Sequence, residues 1–194
     1  MSGAGVPQIT TIADGRGLNV TVVAGEWHEK VASGLLAGAV RYLEAAGASY
    51  TVVSVPGSFE LPVASQRALQ LGADAVVALG VIIRGGTPHF EYVARAATDG
   101  LSRVALDAGN PVGLGVLTVE DEEQALDRAG LPGSTEDKGA EAAGAAVRLA
   151  LTLKQMTPRL RVDDDGTITQ ESHRRSGEAI EESVRAAALV GHIQ

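Results

Sequence analysis

Hydrophobic and polar positions follow two alternating patterns along residues 18–156, and together these patterns predict the fold. Short β-branched or fully apolar runs, which are typical of strands, alternate with stretches whose apolar residues recur about every four positions, as on one face of a helix. The predicted strands are 18–24, 50–55, 74–83 and 111–117. The third strand is apolar throughout, which indicates that other elements cover both of its faces.

The predicted helices fill the intervals between these strands and follow the last one. Within 28–46, for example, one helical face carries Val31, Leu35, Ala39 and Leu43, and Gly47 ends the helix. The other predicted helices are 60–71, 88–108, one that Thr118 caps with acids at 120–123, and an alanine-rich one that Ser134 and Asp137 cap and that ends near Met156. The order βαβαβαβαα with short connections predicts an α/β fold, a three-layer α/β/α sandwich around a four-stranded parallel sheet of flavodoxin-like type.

The pattern changes on both sides of this region and predicts three segments. We expect an irregular N-terminal arm at 1–17, one α/β domain at 18–156 and an appended polar tail at 157–194. Within the tail, 177–191 have the pattern of a short amphipathic helix. The acidic run at 163–165 is predicted to be a solvated turn, because its surroundings lack the ligand spacing of a calcium-binding loop.

Charge and composition exclude several classes of function. The net charge is -8, the pI is near 5.0, and no basic run is longer than Arg174-Arg175, which argues against nucleic acid as a partner. No cysteine is present, which excludes disulfides, thiolate metal sites and a thiol nucleophile. The longest apolar run, 75–83, is far shorter than the roughly 20 residues of a membrane helix, and the first residues lack the pattern of a secretory signal. We therefore expect a cytoplasmic protein that does not contact membranes.

The turn after the third strand carries the clearest candidate chemistry. Gly85 and Gly86 leave backbone N–H groups open to a ligand, Thr87 adds a hydroxyl, and a helix starts at Pro88, so this turn is suited to an anion. The turn resembles a nucleotide-binding P-loop but lacks its lysine, which favours a small phosphate ester over a nucleotide. His89 follows directly and is a candidate proton carrier, although a histidine that only lies at a helix start is the alternative.

Three other residues have both a functional and a structural interpretation. Arg84 could bind the phosphate or pair with a structural carboxylate, and the sequence favours neither. Trp27, the only tryptophan, follows the first strand and fits a stacking role better than a half-buried core role. Glu60 is either a ligand-binding carboxylate or an acid that favours the helix dipole.

Several motifs then occur together in one order. The sequence RGGTPHFEYV at 84–93 resembles the RGxTPHFDYV motif of the lumazine synthase family, the penultimate enzymes of riboflavin biosynthesis. The likeness extends to PGSFELP at 56–62, GVLT at 115–118, EQALDR at 123–128 and DKG at 137–139. The resemblance implies condensation of 5-amino-6-ribitylaminouracil with 3,4-dihydroxy-2-butanone 4-phosphate to 6,7-dimethyl-8-ribityllumazine. It implies no cofactor and no metal, and sites formed between neighbouring subunits of a homopentamer.

The resemblance also assigns roles to individual residues. It makes His89 the catalytic proton-transfer residue and Arg128 a phosphate ligand that the adjacent subunit supplies. The implied substrate-binding residues are Trp27, Ser58, Phe59, Glu60, Val81, Ile82, Ile83, Gly86, Thr87, Leu114, Arg128 and Lys138. Trp27 would stack on the pyrimidine, 58–60 would hold the ribityl chain, and 81–83 would contact the uracil edge.

The chain departs from the family pattern at three places. Leu114 stands where relatives often carry Asn or Phe, Gly86 replaces a commonly polar residue, and the tail exceeds the usual family length. A non-catalytic relative that binds flavin or lumazine, or that forms a sixty-subunit shell, is the alternative interpretation. A phosphate-sensing receiver-like domain is disfavoured, because no acidic pair for Mg²⁺ follows the strands. We expect a free pentamer rather than a shell.

Overall fold

The structure is a computed structural model, and it describes residues 12–156, 159–162 and 168–171. The chain divides into two compact units, 1–153 and 154–194. The first unit contains the complete parallel sheet and the helices that pack on it. The domain boundary expected at residue 157 stays a prediction.

Four parallel strands form the sheet, in the spatial order β2-β1-β3-β4. They are β1 (Asn19–Gly25), β2 (Ser49–Val55), β3 (Ala75–Ile83) and β4 (Val112–Val119). The helices are α1 (Glu29–Ala46), α2 (Leu61–Gln70), α3 (His89–Ala108), α4 (Glu122–Asp127) and α5 (Lys138–Met156). These elements confirm the predicted α/β architecture, with most ends within one or two residues of the expected positions.

Helices cover both faces of the sheet, which produces the predicted three layers. The α1, α4 and α5 helices pack on one face, against Val77 and Leu79 of β3. The α2 and α3 helices pack on the other face, against Val76 and Ala78 of the same strand. Because successive side chains of a strand point to opposite faces, β3 is buried on both sides, as its continuous apolar sequence predicted.

Close approach of α5 to α1 explains why so few aromatic residues suffice for this core. A Cβ on Gly139 would lie only 1.9 Å from the carbonyl oxygen of Leu35, so only glycine permits this separation of the two helices. Ala143 and Val147 of α5 and Leu35 and Leu43 of α1 are fully buried in the same core. Small residues thus bring the helix backbones together, and aliphatic side chains fill the remaining space.

Two predicted helix caps were wrong. Thr118 lies inside β4, and α4 is capped instead by Asp121, whose Oδ1 accepts a hydrogen bond from the Gln124 backbone N–H at 2.8 Å. Asp137 alone caps α5, accepting from the Ala140 N–H at 3.0 Å. Ser134 instead donates to the Leu126 carbonyl oxygen and accepts from the Leu131 N–H, so it stabilises the preceding turn.

In the tail, the structure adds two elements that the sequence did not predict. An antiparallel pair is formed by β5 (Arg159–Val162) and β6 (Ile168–Glu171). The helix predicted at 177–191, the turn predicted at 163–165 and residues 1–11 of the predicted arm lie outside the described residues. Among the helices of the described part, none is long and apolar enough to cross a membrane.

Candidate active site

A cleft opens at the carboxyl ends of the central strands. It has a volume of about 330 Å³, and the strand order reverses here between β1 and β3, where open parallel sheets usually bind ligands. Three chain segments build it, namely those that follow β1, β2 and β3. The lining residues are Trp27, His28, Gly57, Ser58, Phe59, Glu60, Val81, Ile82, Ile83, Gly85, Thr87, His89, Phe90 and Val93.

The segments after β1 and β2 form the first wall of the cleft, in which the indole ring of Trp27 and the carboxylate of Glu60 both lie next to Gly57. A Cβ on Gly57 would lie 3.4 Å from Cδ1 of Trp27 and 3.5 Å from Oε2 of Glu60. Trp27 is 69% exposed although it is large and apolar, and it sits where the parallel register pairs Gly25 with Val55. An exposed flat ring beside a carboxylate suits a planar heterocycle that carries hydroxyl groups.

The turn between β1 and α1, which carries the exposed Trp27, has an unusual backbone. His28, next to Trp27, has a positive φ of 59°. Among the described residues, it is the only one other than glycine that has a positive φ. This conformation turns the chain from β1 into α1 and leaves the two rings of Trp27 and His28 with centroids 6.4 Å apart. A strained residue at the edge of a cleft is typical of functional sites.

The cleft floor depends on a close contact between the turn that follows β2 and the backbone of β3. Ser58 is only 7% exposed, and its Oγ would lie 2.5 Å from a Cβ placed on Gly80 of β3. Among the described residues this Oγ has no hydrogen-bond partner. The hydroxyl is directed at β3 rather than into the open cleft, so ligand contacts of Ser58 would come from its other atoms.

The second wall is the turn between β3 and α3. Cβ atoms placed on Gly85 and Gly86 would meet nothing within 4 Å, so this backbone stands clear of neighbouring residues. Pro88 occupies the N-cap of α3 and makes no side-chain capping bond, which leaves the first N–H groups of a 20-residue helix unsatisfied by a cap. His89 is the first residue of this helix and is exposed at the cleft. The arrangement matches an anion site with an adjoining proton carrier.

Arg84 is paired with carboxylates, which decides between its two interpretations. Its Nε donates to Oε2 of Glu120 at 2.7 Å, and an Nη donates to Oε1 of Glu91 at 2.8 Å. The hydrogen bond that Arg84 donates to Glu91, followed by the one that it donates to Glu120, raises the pKa of Arg84 above its usual value. Arg84 is absent from the residues that line the cleft.

Three residues implied by the resemblance lie away from this cleft within a single chain. Arg128 lines a second cleft of about 540 Å³, together with Lys30 and residues of the 123–134 segment. Lys138 is largely buried and pairs with Glu136 at 2.6 Å and Glu141 at 2.8 Å. Leu114 is 54% exposed in the middle of the edge strand β4.

The cleft's charge is acidic or neutral. The described residues that line it include Glu60 and two histidines but no lysine or arginine. A phosphate group bound here would therefore meet backbone N–H groups and hydroxyls, and any permanent positive charge would have to come from another surface. Among the described residues, no cluster of three His, Asp or Glu side chains could hold a metal ion.

Comparison with known proteins assigns the family. The model of the 6,7-dimethyl-8-ribityllumazine synthase family matches residues 17–154. The chain belongs to this family. It is 70% identical over 156 residues to the 6,7-dimethyl-8-ribityllumazine synthase of Leifsonia xyli subsp. xyli, a match that covers 80% of this chain and 99% of that protein. It is 66% identical over 157 residues to the synthase of Clavibacter michiganensis subsp. michiganensis, with 80% and 98% covered.

A third relative is less identical in sequence but is matched over a similar share of both chains. The synthase of Kineococcus radiotolerans is 59% identical over 159 residues, which is 81% of this chain and 98% of that protein. The relatives are thus matched over nearly their whole length, and about a fifth of this chain lies outside the match. The family model begins at residue 17 and ends at residue 154, so the tail lies outside the part of the chain that matches the family model.

The structure gathers most, but not all, of the residues that the lumazine synthase resemblance implied. Nine of them line the cleft: Trp27, Ser58, Phe59, Glu60, Val81, Ile82, Ile83, Thr87 and His89. Gly86 lies between two lining residues without lining the cleft itself. Gly85, which the sequence analysis named as part of the anion-binding turn, also lines the cleft, whereas His28, Gly57, Phe90 and Val93 were not individually named as site residues. Phe90 and Val93 had a signal, because they lie one turn apart on the helix that begins at His89.

Proposed function

We propose that this chain catalyses the condensation of 5-amino-6-ribitylaminouracil with 3,4-dihydroxy-2-butanone 4-phosphate. The products are 6,7-dimethyl-8-ribityllumazine, phosphate and water. The observation that carries the proposal is the family match over 17–154, which contains every segment of the cleft. Trp27, Glu60, Thr87 and His89 come from three separate turns and nevertheless line one space.

In the proposed reaction, the cleft holds the two substrates at opposite ends. The exposed indole of Trp27 stacks on the pyrimidine ring, and Glu60 with the start of α2 binds the hydroxyls of the ribityl chain. The N-terminus of α3, with Gly86 and Thr87, binds the phosphate. This placement is supported by the open backbone at Gly85 and Gly86 and by the absence of a side-chain cap on α3.

The chemistry then needs positioning and proton transfer. The primary amine of the pyrimidine attacks the ketone and forms an imine with loss of water. A proton then leaves C3 of the ketone-derived chain as the C4–O bond to the phosphate breaks, and the phosphate leaves with the electron pair. The resulting enol takes up a proton at C4 and becomes a ketone at C3. The ribityl-bearing nitrogen attacks this new ketone, which closes the ring and expels a second water. His89 moves the protons between these steps, because its imidazole adjoins the phosphate site and can both accept and donate near neutral pH.

The phosphate's positive partner is proposed to come from a second subunit. Arg128 lies in a different cleft of its own chain, and no lysine or arginine lines the first cleft. Arg128, with Lys138 close by, would complete the site of a neighbouring chain in a homopentamer, although a sixty-subunit shell uses the same contacts. Leu114 is proposed to contribute only through its backbone. The cytoplasmic location of the protein stays a prediction.

The direct test is formation of lumazine, followed by absorbance after the purified protein is mixed with the two substrates. We expect turnover above the uncatalysed rate. At protein concentrations well above the concentration at which subunits assemble, the rate should be proportional to the protein concentration. Background rate alone, with lumazine or flavin still bound, would contradict catalysis and favour a carrier or a shell. Light scattering on the same sample distinguishes a pentamer from a larger shell.

A further inference from the structure

Arg84 connects three elements next to the cleft without facing it. It follows β3 directly, and its backbone N–H donates to the Val119 carbonyl oxygen at 3.0 Å, which extends the pairing of β3 with β4. Its side chain bonds Glu120, beyond the end of β4, and Glu91, in the first turn of α3. One side chain therefore ties the carboxyl ends of two strands to the helix that carries His89.

The same guanidinium covers a ring that lines the cleft. The Cζ atom of Arg84 lies 4.2 Å from the centroid of the Phe90 ring. A planar guanidinium can stack on an aromatic face and bond two carboxylates at once, which a lysine ammonium cannot do. Phe90 follows His89 and contributes to the cleft wall. The Phe90 ring therefore contacts Arg84 on one face and also lines the cleft.

Charge makes Arg84 unsuitable as the phosphate's own ligand. Two carboxylates oppose one guanidinium, so the group of Arg84, Glu91 and Glu120 has a net charge of about -1, which repels a phosphate dianion. The turn that follows has little other support, since Cβ atoms on Gly85 and Gly86 would contact nothing. Among the described residues, the bonds made by Arg84 hold the beginning of this turn.

We propose that Arg84 is a positioning residue, which fixes the Gly85–Pro88 turn and the Phe90 ring so that the phosphate-binding N–H groups and His89 keep their orientation. This inference rests on the proposed function. It predicts an effect on the phosphate substrate that is much larger than the effect on the pyrimidine, because Trp27 and Glu60 belong to other segments.

The first test compares Arg84→Gln, Arg84→Lys and wild type with each substrate varied in turn. For both variants, kcat/KM for the butanone phosphate should fall by about 10- to 100-fold, the cost of a small misplacement of reacting groups. KM for the pyrimidine should stay within about twofold, because its binding contacts are intact. Arg103→Gln, which removes the exposed pair with Asp107 later on α3, is the matched control and should leave both constants unchanged.

A second comparison separates positioning from direct phosphate binding. Glu120→Gln loosens Arg84 from β4 and also frees its charge. A positioning role predicts that KM for the phosphate substrate rises, whereas a direct ligand would bind better once it is freed, and KM would fall. Phe90→Leu should reproduce part of the loss, and Arg84→Gln with Phe90→Leu should cost less than the sum of the two single changes.

A third readout does not depend on catalysis. Hydrogen exchange of the 84–93 segment should become faster in Arg84→Gln but not in Arg103→Gln, at equal thermal midpoints. The inference is overturned by unchanged exchange, by an equal rise in KM for the two substrates, or by a lower KM for the phosphate substrate in Glu120→Gln. Wild-type protein without turnover would contradict the proposed function instead, and exchange would still decide the role of Arg84.

Discussion

Ser58 can lie where it does only because residue 80 is glycine. A Cβ at position 80 would lie 2.5 Å from the Ser58 Oγ and 2.9 Å from Cδ1 of Leu61, both closer than nonbonded atoms allow. The turn that begins α2 therefore packs directly on the backbone of β3. This contact sets the depth of the cleft floor.

Gly80→Ala should consequently destabilise the protein and disturb the cleft. We expect a loss of about 1–3 kcal/mol in the free energy of unfolding, the usual cost of overpacking, measured by urea denaturation. Adding Ser58→Ala should restore part of it, because the shortest contact is to Oγ and that hydroxyl has no partner among the described residues. A Gly80→Ala protein as stable as wild type, or no recovery with Ser58→Ala, would contradict this account.

Trp27 should report pyrimidine binding directly. It is the only tryptophan and is 69% exposed, so stacking of a ligand should change its fluorescence without interference from another indole. Trp27→Ala should raise KM for the pyrimidine by about 3- to 10-fold, in line with about 0.5–1.5 kcal/mol for aromatic stacking. Trp27→Phe should retain most of the affinity. A fluorescence signal that does not respond to saturating pyrimidine would remove Trp27 from the binding site.

His89 and Arg128 should complement each other between chains. His89→Asn should lower kcat by about 10²- to 10⁴-fold, the range for one general acid–base group, and Arg128→Ala should mainly raise KM for the phosphate substrate. If each site takes one residue from each of two subunits, co-expressed variants assembled at random would regain up to about a quarter of the sites. No recovery in mixed assemblies of confirmed composition would place both residues in sites made by one chain.

The ion pairs of Lys138 should be visible as a pH dependence of stability. Burial acts to lower its pKa, but the hydrogen bonds with Glu136 and Glu141 outweigh it and raise the pKa above 10.5. The native state thus holds the proton more tightly than the unfolded chain, so the stabilisation is complete below pH 10.5 and is lost as the pH rises through the native pKa. The difference in unfolding free energy between wild type and Lys138→Met should be constant from neutral pH up to that pH and decrease above it. A difference that grows with alkaline pH would have the wrong sign.

Removal of the tail should leave the synthase intact. The family model matches residues 17–154, which lie before the tail, and the cleft lies wholly within the first compact unit. A chain of residues 1–156 should therefore keep kcat, both KM values and the particle mass. A change in mass alone would assign the tail to assembly, and a change in kinetics would assign it to the site.

The sequence predicted most of this fold because its local patterns and its packing agree. The apolar run of β3 is buried on both faces, and the β-branched run of β1 pairs with it. Each of these local patterns is therefore compatible with one secondary structure and one place in the fold. The caps were harder, because Thr118, Ser134 and Asp121 are all good capping residues and only the exact end of β4 decides among them. The short strands of the tail gave no period long enough to recognise.

The site likewise contains residues that could be predicted from local sequence and residues that could not. His89 and Thr87 were recognisable because an anion-binding turn is a local feature of the chain. The pairing of Arg84 with Glu120 was not, because it joins the ends of two strands that are distant in sequence and depends on the register of β3 against β4. Gly57 was also missed, since its importance comes from Trp27 and Glu60 on either side of it.

The lack of lysine and arginine in the cleft has a consequence for how the enzyme would respond to dilution. In the proposed site, Trp27 and Glu60 of one chain bind the neutral pyrimidine, so most of its affinity should survive when subunits separate. The proposed phosphate ligand Arg128 comes from a neighbouring subunit, so the phosphate substrate should lose affinity first. As the protein is diluted, one substrate would therefore be released before the other, and the two dissociation constants would diverge at the concentration where the assembly comes apart.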